Sequence, residues 1–308
     1  MEIIIVSDGS NDSTPEIVKR YEEQGVKSLH LAQRRGKTAA LNRAIEFAKN
    51  EIIIFSDANS MFKKDAVTKL IQHFNDRQIG GVCGRKSVLI HKNRQASTGD
   101  NLFWILESKI KQAESNLGSI PVADGEIFAI RKSLYEKIPE EIINDDMAIT
   151  FNIVSKGLRV IYEIEAVTEE EASITLTDDF NVKARMVYGA LQILNIFEKE
   201  LNPLKSWFGF QFFIHKTLRY FMWRLLIIIY ISNILIILNH IFYVYFFILQ
   251  SIFYLFAIIG YFLNRKKVYI RLFYLPFYYC NVNIAAYRGH IYFEEKQNTV
   301  NIWTKAER

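Results

Sequence analysis

Short apolar runs alternate with longer stretches in which apolar residues recur every three or four positions along the first 75 residues. Residues 3–6 and 52–55 are uninterrupted apolar runs rich in isoleucine, which predict strands buried on both faces, as in a parallel sheet. Residues 26–31 predict another strand, and residues 38–49 predict a helix with one apolar face. This alternation predicts βαβ units and a parallel sheet.

The same patterns continue, less regularly, to about residue 200. The other predicted helices are residues 14–24, 65–74, 101–116, 146–155 and 180–201, and the other predicted strands are residues 81–90, 126–130 and 159–162. Residues 1–200 therefore predict one α/β domain, a length that is ample for a hydrophobic core. Asn202-Pro203 is its predicted boundary.

The last third of the chain has a different composition, because residues 225–264 contain no Asp, Glu, Lys or Arg. A membrane-spanning helix needs about 20 apolar residues, so this composition excludes a simple soluble protein. It predicts a transmembrane region over residues 225–287. Two spans, residues 219–239 and 241–263, form a hairpin, and a less apolar third segment, 268–286, either spans as well or is re-entrant or interfacial.

Charge sets the expected orientation of this region. Residues 1–200 carry 26 basic and 30 acidic side chains, whereas residues 201–308 carry 12 and 3. The basic residues of segment 203–224 predict an amphipathic helix in the membrane interface, and the cluster 265–267 predicts that both ends of the hairpin are cytoplasmic. We therefore expect a multi-pass protein of the plasma (inner) membrane with a polar tail, 288–308, and membrane lipid rather than nucleic acid as its partner.

Polar residues follow two of the predicted strands, where a parallel sheet binds its ligands. Asp8 comes after the first strand and Asp57 after residues 52–55, and Lys37 follows a glycine at the start of a helix. A carboxylate binds Mg²⁺ or Mn²⁺, which bridges diphosphate oxygens, and a lysine binds phosphate. The group therefore suits a nucleoside diphosphate, although each carboxylate alone is equally typical of an ordinary turn.

Three further carboxylates stand at the ends of predicted elements. Asp124 precedes the strand at 126–130, and Asp145 and Asp146 open a helix. Carboxylates in the first turn of a helix cap it and interact favourably with its dipole. Position alone therefore explains Asp145 and Asp146 as well as catalysis does.

Six segments, in this order, carry a resemblance to a known family. They are VSDGSNDST (6–14), GKTAALNRAI (36–45), EIIIFSDANSMF (51–62), ADGEIFAIRKSLY (123–135), INDDMAITFNIVSKGLRVIY (143–162) and ARMVYGALQIL (184–194). The sequence resembles the inverting family 2 glycosyltransferases, in the branch of membrane polysaccharide synthases of the cellulose and poly-N-acetylglucosamine kind. The resemblance implies a GT-A fold over residues 1–200, a Rossmann-like mixed sheet flanked by helices, followed by C-terminal transmembrane helices.

The resemblance also implies which residues bind the donor, a nucleotide-sugar of the UDP-sugar kind. Asp8 matches the aspartate that contacts uridine, and Lys37 matches a lysine near the nucleotide and its diphosphate. Asp57 matches the first aspartate of the metal- and nucleotide-binding motif, with Mg²⁺ or Mn²⁺ as the implied cofactor.

On the acceptor side, the resemblance implies that Asp146 is the catalytic base and that Asp145 is its acidic neighbour. It places Asp124 near the acceptor and the donor sugar. Arg185 and Gln192 match a helix that lies near the acceptor and the diphosphate.

Three departures from the family pattern change these expectations. Asn59 replaces a second metal-binding aspartate, and Val182 and Met186 replace a glutamine and a tryptophan that processive synthases use. The family also begins with another strand and a PxYNE-type segment, which the sequence lacks before Ile3. We therefore expect a catalytic domain without its first strand.

The function implied is that of a membrane-bound inverting hexosyl or N-acetylhexosaminyl transferase that builds a polysaccharide or a lipid-linked glycan. Transfer to a polyprenyl phosphate is an alternative within the same fold. A catalytically inactive membrane subunit is the alternative from another class, and Asn59 and the lacking strand favour it.

Overall fold

The computed structural model describes residues 1–89, 95–171 and 175–296, with side chains undescribed for residues 95–102. Its strands are β1 (Ile3–Asp8), β2 (Val26–Leu31), β3 (Ile52–Phe55), β4 (Met61–Phe62), β5 (Ile79–Leu89), β6 (Phe128–Arg131) and β7 (Arg159–Glu171). Its helices are α1 (Thr14–Arg20), α2 (Lys37–Phe47), α3 (Ala66–Ile71), α4 (Gln95–Leu117), α5 (Asp145–Ser155), α6 (Leu176–Ile196), α7 (Trp207–Phe212), α8 (Leu218–Ile236), α9 (Ile241–Arg265) and α10 (Arg271–Glu294). Most of the predicted tail, from residue 297 onward, lies outside the described residues, as does the predicted strand end at residue 90.

The strands form two sheets. β1 and β2 pair in parallel. The larger sheet has the order β3-β6-β5-β7-β4, in which β5 and β7 are parallel and the other neighbouring pairs are antiparallel. The mixed sheet implied by the family resemblance is confirmed. The parallel pairing predicted from the alternation of elements holds for β1 with β2 and for β5 with β7, but not for β3, which is antiparallel to β6.

The prediction that β1 is buried on both faces is also wrong. Ile3 is 44% exposed and residues 4–6 are half-buried. Among the described residues β1 pairs with β2 alone, and β3 pairs with β6 alone, so each has one open edge. An edge strand buries less surface than a central one, whatever the apolar content of its sequence.

The hydrophobic core lies on both faces of the larger sheet. Phe128 and Ile130 of β6 are fully buried with Ile153 of α5 and Ile193 of α6 on one face. Leu70 of α3 packs with β5 and β7 on the other face. Burial of these side chains provides the main driving force for folding of the domain.

Two long apolar helices follow the domain. Residues Trp207–Ile236 form one continuous helix of about 45 Å, which includes a π-helical turn (Phe213–Thr217) between α7 and α8. This helix and α9 are each long and apolar enough to cross a membrane, and most of the surface of each is exposed. The hairpin bend predicted near residues 239–240 falls between α8 and α9.

The third apolar segment forms α10, which packs along α6 and α9. Gly289 of α10 allows this contact with α6, because an added Cβ would lie 2.6 Å from the backbone oxygen of Ala184. Within the described residues α10 is not among the helices that satisfy the length and hydropathy of a membrane span. Whether it crosses the membrane stays an open prediction.

Buried charges join the domain to the first long helix. Glu107 of α4 accepts hydrogen bonds from Lys216 and from Arg219 Nη1 (3.0 Å), and Glu114 lies 2.9 Å from His215 Nδ1, whose Nε2 is 3.2 Å from Glu107. We call these five residues the interface cluster. Burial alone would raise the pKa of Glu107, but Lys216 and the neighbouring cations hold it well below its usual range.

Candidate active site

Asp8, at the end of β1, shapes the turn that leads into α2. Its two carboxylate oxygens accept hydrogen bonds from the backbone amides of Arg35 (2.9 Å) and Gly36 (2.6 Å). Gly36 has a φ of 104°, which is a strained conformation for a residue with a side chain. Asp8 therefore fixes the position at which Lys37 begins its helix.

Lys37 stands between carboxylates from two other segments. Its Nζ atom lies 2.9 Å from Asp57 Oδ1 and 3.8 Å from Asp145 Oδ1. Burial alone would lower the pKa of Lys37, but Asp145 and Asp57 outweigh it and raise the pKa above its usual range. Gly125 leaves room for the ammonium group, because an added Cβ would lie 3.2 Å from Nζ.

Asp146 lies beside the same glycine. Its Oδ2 accepts a hydrogen bond from the amide of Gly125 (3.2 Å) and its Oδ1 from the amide of Met147 (2.7 Å). Burial, followed by repulsion from Asp145, raises the pKa of Asp146 to about 7. A carboxylate with a pKa near neutrality suits general base catalysis.

The loop before α5, residues 138–144, sets the position of Asp145 and Asp146; we call it the base loop. From α2, Thr38 Oγ1 donates to the carbonyl of Ile142 (2.6 Å) and Asn42 Nδ2 to that of Ile138 (2.8 Å). Sequence reasoning missed both residues, although they are the buried polar positions of the GKTAALNRAI segment.

Helix α6 holds the other end of the base loop. Gln192 donates from Nε2 to the carbonyl of Glu141 (2.8 Å), and its Oε1 accepts from the amide of Ile143 (3.1 Å). Asn144 Nδ2 donates to the carbonyl of Met186 (2.9 Å). The side-chain amide of Gln192 is thus engaged with the loop, in a supporting position rather than among the carboxylates.

Arg185, on the same helix, approaches the carboxylates and is half-buried. Burial lowers its pKa, whereas the attraction of Asp57 opposes that change. Arg185 therefore adds positive charge on the side of Asp57, and the proximity of this helix to a diphosphate stays a prediction.

Asp124 has a different environment from the one its sequence position predicts. Its Oδ1 lies 2.6 Å from the Nζ of Lys111 on α4, and its backbone amide is 3.1 Å from the sulfur of Cys83. Burial raises the pKa of the Asp124 carboxyl, and Lys111 offsets part of that rise. Asp124 is paired with this buried lysine rather than with Lys37.

A row of polar side chains, absent from the sequence predictions, continues from Gly125. Lys86 Nζ lies 2.5 Å from Glu126 Oε1 and also bonds to Glu170, which accepts a hydrogen bond from Asn59 Nδ2. The side chain of Asn59 is therefore engaged where a second metal-binding aspartate was expected. The one local sequence signal for this row is Glu126, a charged residue beside an apolar strand.

The structure brings four of the predicted site residues into one cluster, Lys37, Asp57, Asp145 and Asp146, with Arg185 beside it. Asp8, at the end of β1, and Gln192, on α6, bond to the backbone of loops that support the cluster, and Asp124 is in a separate ion pair with Lys111. Their roles toward a substrate stay predictions.

Comparisons with known proteins give a family for this arrangement. Residues 1–139 match the sequence model of glycosyl transferase family 2. The poly-beta-1,6-N-acetyl-D-glucosamine synthase of Staphylococcus aureus is 26% identical over 201 residues, which are 63% of this chain and 48% of that protein. The synthase of Staphylococcus epidermidis is 25% identical over the same coverage. The chain thus spans about half the length of the curated relatives it matches.

A solved structure shares the fold. The mannosyltransferase from Pyrobaculum calidifontis, solved in complex with GDP-Man and Mn²⁺, superimposes with a TM-score of 0.51 at 24% identity. The match covers 62% of this chain and 53% of the mannosyltransferase. Residues 1–139 therefore belong to glycosyl transferase family 2, and the domain they open has the GT-A fold.

Proposed function

We propose that this protein is a membrane-bound inverting glycosyltransferase that moves a sugar from a UDP-sugar to a growing polysaccharide or lipid-linked glycan. The observation that carries the proposal is the convergence of Asp57, Asp145 and Asp146 on Lys37 within a domain of this family. Similarity to synthases of poly-beta-1,6-N-acetyl-D-glucosamine supports a glycan product. The two long apolar helices support a place in the plasma (inner) membrane, with the catalytic domain in the cytoplasm.

The donor diphosphate binds at Lys37 and Asp57. Lys37 offers a point charge for phosphate, and Asp57, whose side chain is 33% exposed, is an oxygen ligand of the kind that Mg²⁺ and Mn²⁺ prefer. Among the residues that the structure describes, no three ligating side chains form a complete metal site. Asp57 therefore fits an ion that is shared with diphosphate oxygens and water, and such an ion, when bound, neutralises charge on the leaving group.

Asp146 acts on the acceptor. Its carboxylate takes the proton of an acceptor hydroxyl, whose oxygen attacks the anomeric carbon of the donor as the bond to the diphosphate breaks. One in-line displacement inverts the configuration. Lys37 and Arg185 stabilise the negative charge that develops on the departing UDP.

Asp146→Asn separates binding from chemistry. The substitution keeps the shape of the side chain and removes the base, so we expect radiolabelled sugar transfer by the purified chain to fall by ~10²-fold or more. Binding of UDP in the presence of Mn²⁺ should stay within a factor of two. Asp65→Asn, at an exposed position before α3, is the matched control.

The results distinguish the readings directly. A variant as active as the parent would refute the assignment of the base, and a parent that binds no UDP with or without Mn²⁺ would support the inactive membrane subunit.

Transfer to a polyprenyl phosphate is a second candidate, because α10 lies between the Arg185 helix and the membrane helix α9. A panel of oligosaccharide and polyprenyl-phosphate acceptors decides between the two.

A further inference from the structure

The polar row beside Gly125 contains a residue without a role in the mechanism above. Glu126, Lys86 and Glu170 are joined by ion pairs, and Lys86 also lies over the ring of Trp104, 4.7 Å from its centroid. Glu170 is nearly inaccessible, whereas the Glu126 side chain keeps 17% of its surface exposed. Of the two carboxylates in the row, Glu126 is therefore the one that a bound molecule reaches more easily.

Glu126 follows Gly125, which lies between the proposed base and the proposed diphosphate ligand. The amide of Gly125 donates to Asp146, the proposed base, and an added Cβ on Gly125 would touch the Nζ of Lys37, the proposed diphosphate ligand. The anomeric carbon that reacts between base and diphosphate must therefore lie over Gly125. Glu126 comes next in the chain, and its carboxylate is close enough to Lys37 and Asp146 to raise the pKa of both groups. Its side chain therefore borders the space in which the sugar ring would lie.

The chemistry of Glu126 suits a sugar hydroxyl. A carboxylate has roughly four acceptor positions, and Lys86 bonds to one oxygen of Glu126, Oε1. Burial alone would raise the pKa of Glu126, but Lys86 lowers it to about 2, so the group is ionised and accepts hydrogen bonds only. Lys86 already donates to two carboxylates, Glu126 and Glu170. Glu126 is therefore the group that is left to contact a sugar hydroxyl.

We propose that Glu126 accepts a hydrogen bond from a hydroxyl group of the donor sugar and so discriminates against donors that lack this hydroxyl, with Lys86 as its positioning residue. The proposal rests on the proposed function and deepens it. A site built to bind a hydroxyl rejects an analogue that lacks it, because its buried polar group is then left unpaired. Removing the carboxylate should therefore weaken discrimination rather than nucleotide binding.

The experiment compares the parent with Glu126→Gln in the full chain purified in detergent. Calorimetry measures binding of UDP, and transfer assays measure kcat/KM for UDP-N-acetylglucosamine and for its monodeoxy analogues. We expect UDP affinity within a factor of two of the parent, and kcat/KM for the complete sugar reduced by about 10- to 100-fold, the loss of one charged hydrogen bond. The preference of the parent for the complete sugar over one deoxy analogue should disappear in the variant.

Two further variants test the arrangement. Lys86→Arg keeps a cation beside Glu126 and should retain the preference, whereas Lys86→Met should lose it. Glu136→Gln, which breaks the exposed ion pair of Glu136 with Lys156, is the matched control and should behave as the parent. Unchanged discrimination in Glu126→Gln, in a parent that binds UDP, would overturn this inference alone. Failure of the parent to bind UDP would overturn the proposed function and the inference together.

Discussion

The proposed role of Asp146 as the base makes the reaction depend on its protonation. A base must be deprotonated to work, and burial together with Asp145 raises the pKa of Asp146 to about 7. We therefore expect kcat/KM to rise tenfold per pH unit below about pH 7 and to level off above it. Rates measured at constant ionic strength from pH 5.5 to 8.5 provide the profile.

Asp145→Asn supplies the internal control for this profile. Removing the neighbouring negative charge eases ionisation of Asp146, so the midpoint should move to lower pH. A flat profile between pH 5.5 and 8.5, or a midpoint that Asp145→Asn does not move, would contradict the assignment.

Motifs predicted the residues of the central cluster, together with Asp8 and Gln192, but not Thr38, Asn42, Lys86 or Glu126. Lys37, Asp57 and Asp146 could be predicted because each lies in a recognisable motif at the start of a helix or the end of a strand. Glu126 and Lys86 are 40 residues apart, and their contact depends on how β5 and β6 pair. No local pattern contains that information, so sequence reasoning passed over the row.

Helix α6 and the base loop meet at Gly189, which has no side chain to separate them. An added Cβ would lie 2.5 Å from Asn144 Oδ1 and 3.0 Å from the Cβ of Ile143. Gly189→Ala should therefore displace the loop that carries Asp145 and Asp146. A misplacement of about 1 Å costs ~10²-fold in rate, so we expect transfer to fall by more than tenfold.

In Gly189→Ala, UDP affinity should fall much less than transfer and circular dichroism should be unchanged, since the donor contacts at Lys37 and Asp57 lie on other elements and only Arg185 shares α6. Gly118→Ala, at the end of α4 with no atom near the added methyl group, is the control. Equal activity of the two variants would show that the loop tolerates the displacement.

Strand β7 shows why element boundaries escaped prediction. The sequence predicted a strand over residues 159–162, but β7 continues to Glu171 through a run rich in glutamate, a residue depleted in strands. His73 lies 2.6 Å from Glu163 and Lys63 lies 3.2 Å from Glu169. Lys69 of α3 and Lys86 of β5 form further ion pairs with Glu165 and Glu170. These contacts stabilise the glutamates, and the strand propensity of a local segment does not include them.

The whole molecule is expected to insert with both ends of the α8–α9 hairpin in the cytoplasm. The turn between the helices, residues 237–240, should then be exposed outside, and the basic residues after α9 should remain inside. Asn239→Cys should react with a membrane-impermeant maleimide on intact cells, whereas Lys266→Cys should react only after permeabilisation. Cys280→Ser provides the background, since Cys83 is fully buried.

Labelling of Lys266→Cys on intact cells, with Asn239→Cys protected, would reverse this topology.

The fold class itself was predictable, because six motifs in a fixed order identify it. The division into two sheets was not, because it depends on which strand edges meet across the molecule rather than on the strands themselves.

The interface cluster has a consequence for the order in which the protein is made. Glu107 and Glu114 leave the ribosome about a hundred residues before their cations, since Arg219 is 112 positions beyond Glu107. At 5–20 residues per second, Glu107 waits roughly ten seconds for Lys216 and Arg219, and Glu114 waits about as long for His215. During that time α4 cannot be buried without two uncompensated charges, which is costly. The α/β domain therefore completes its packing around α4 only after the first long apolar helix has begun to emerge.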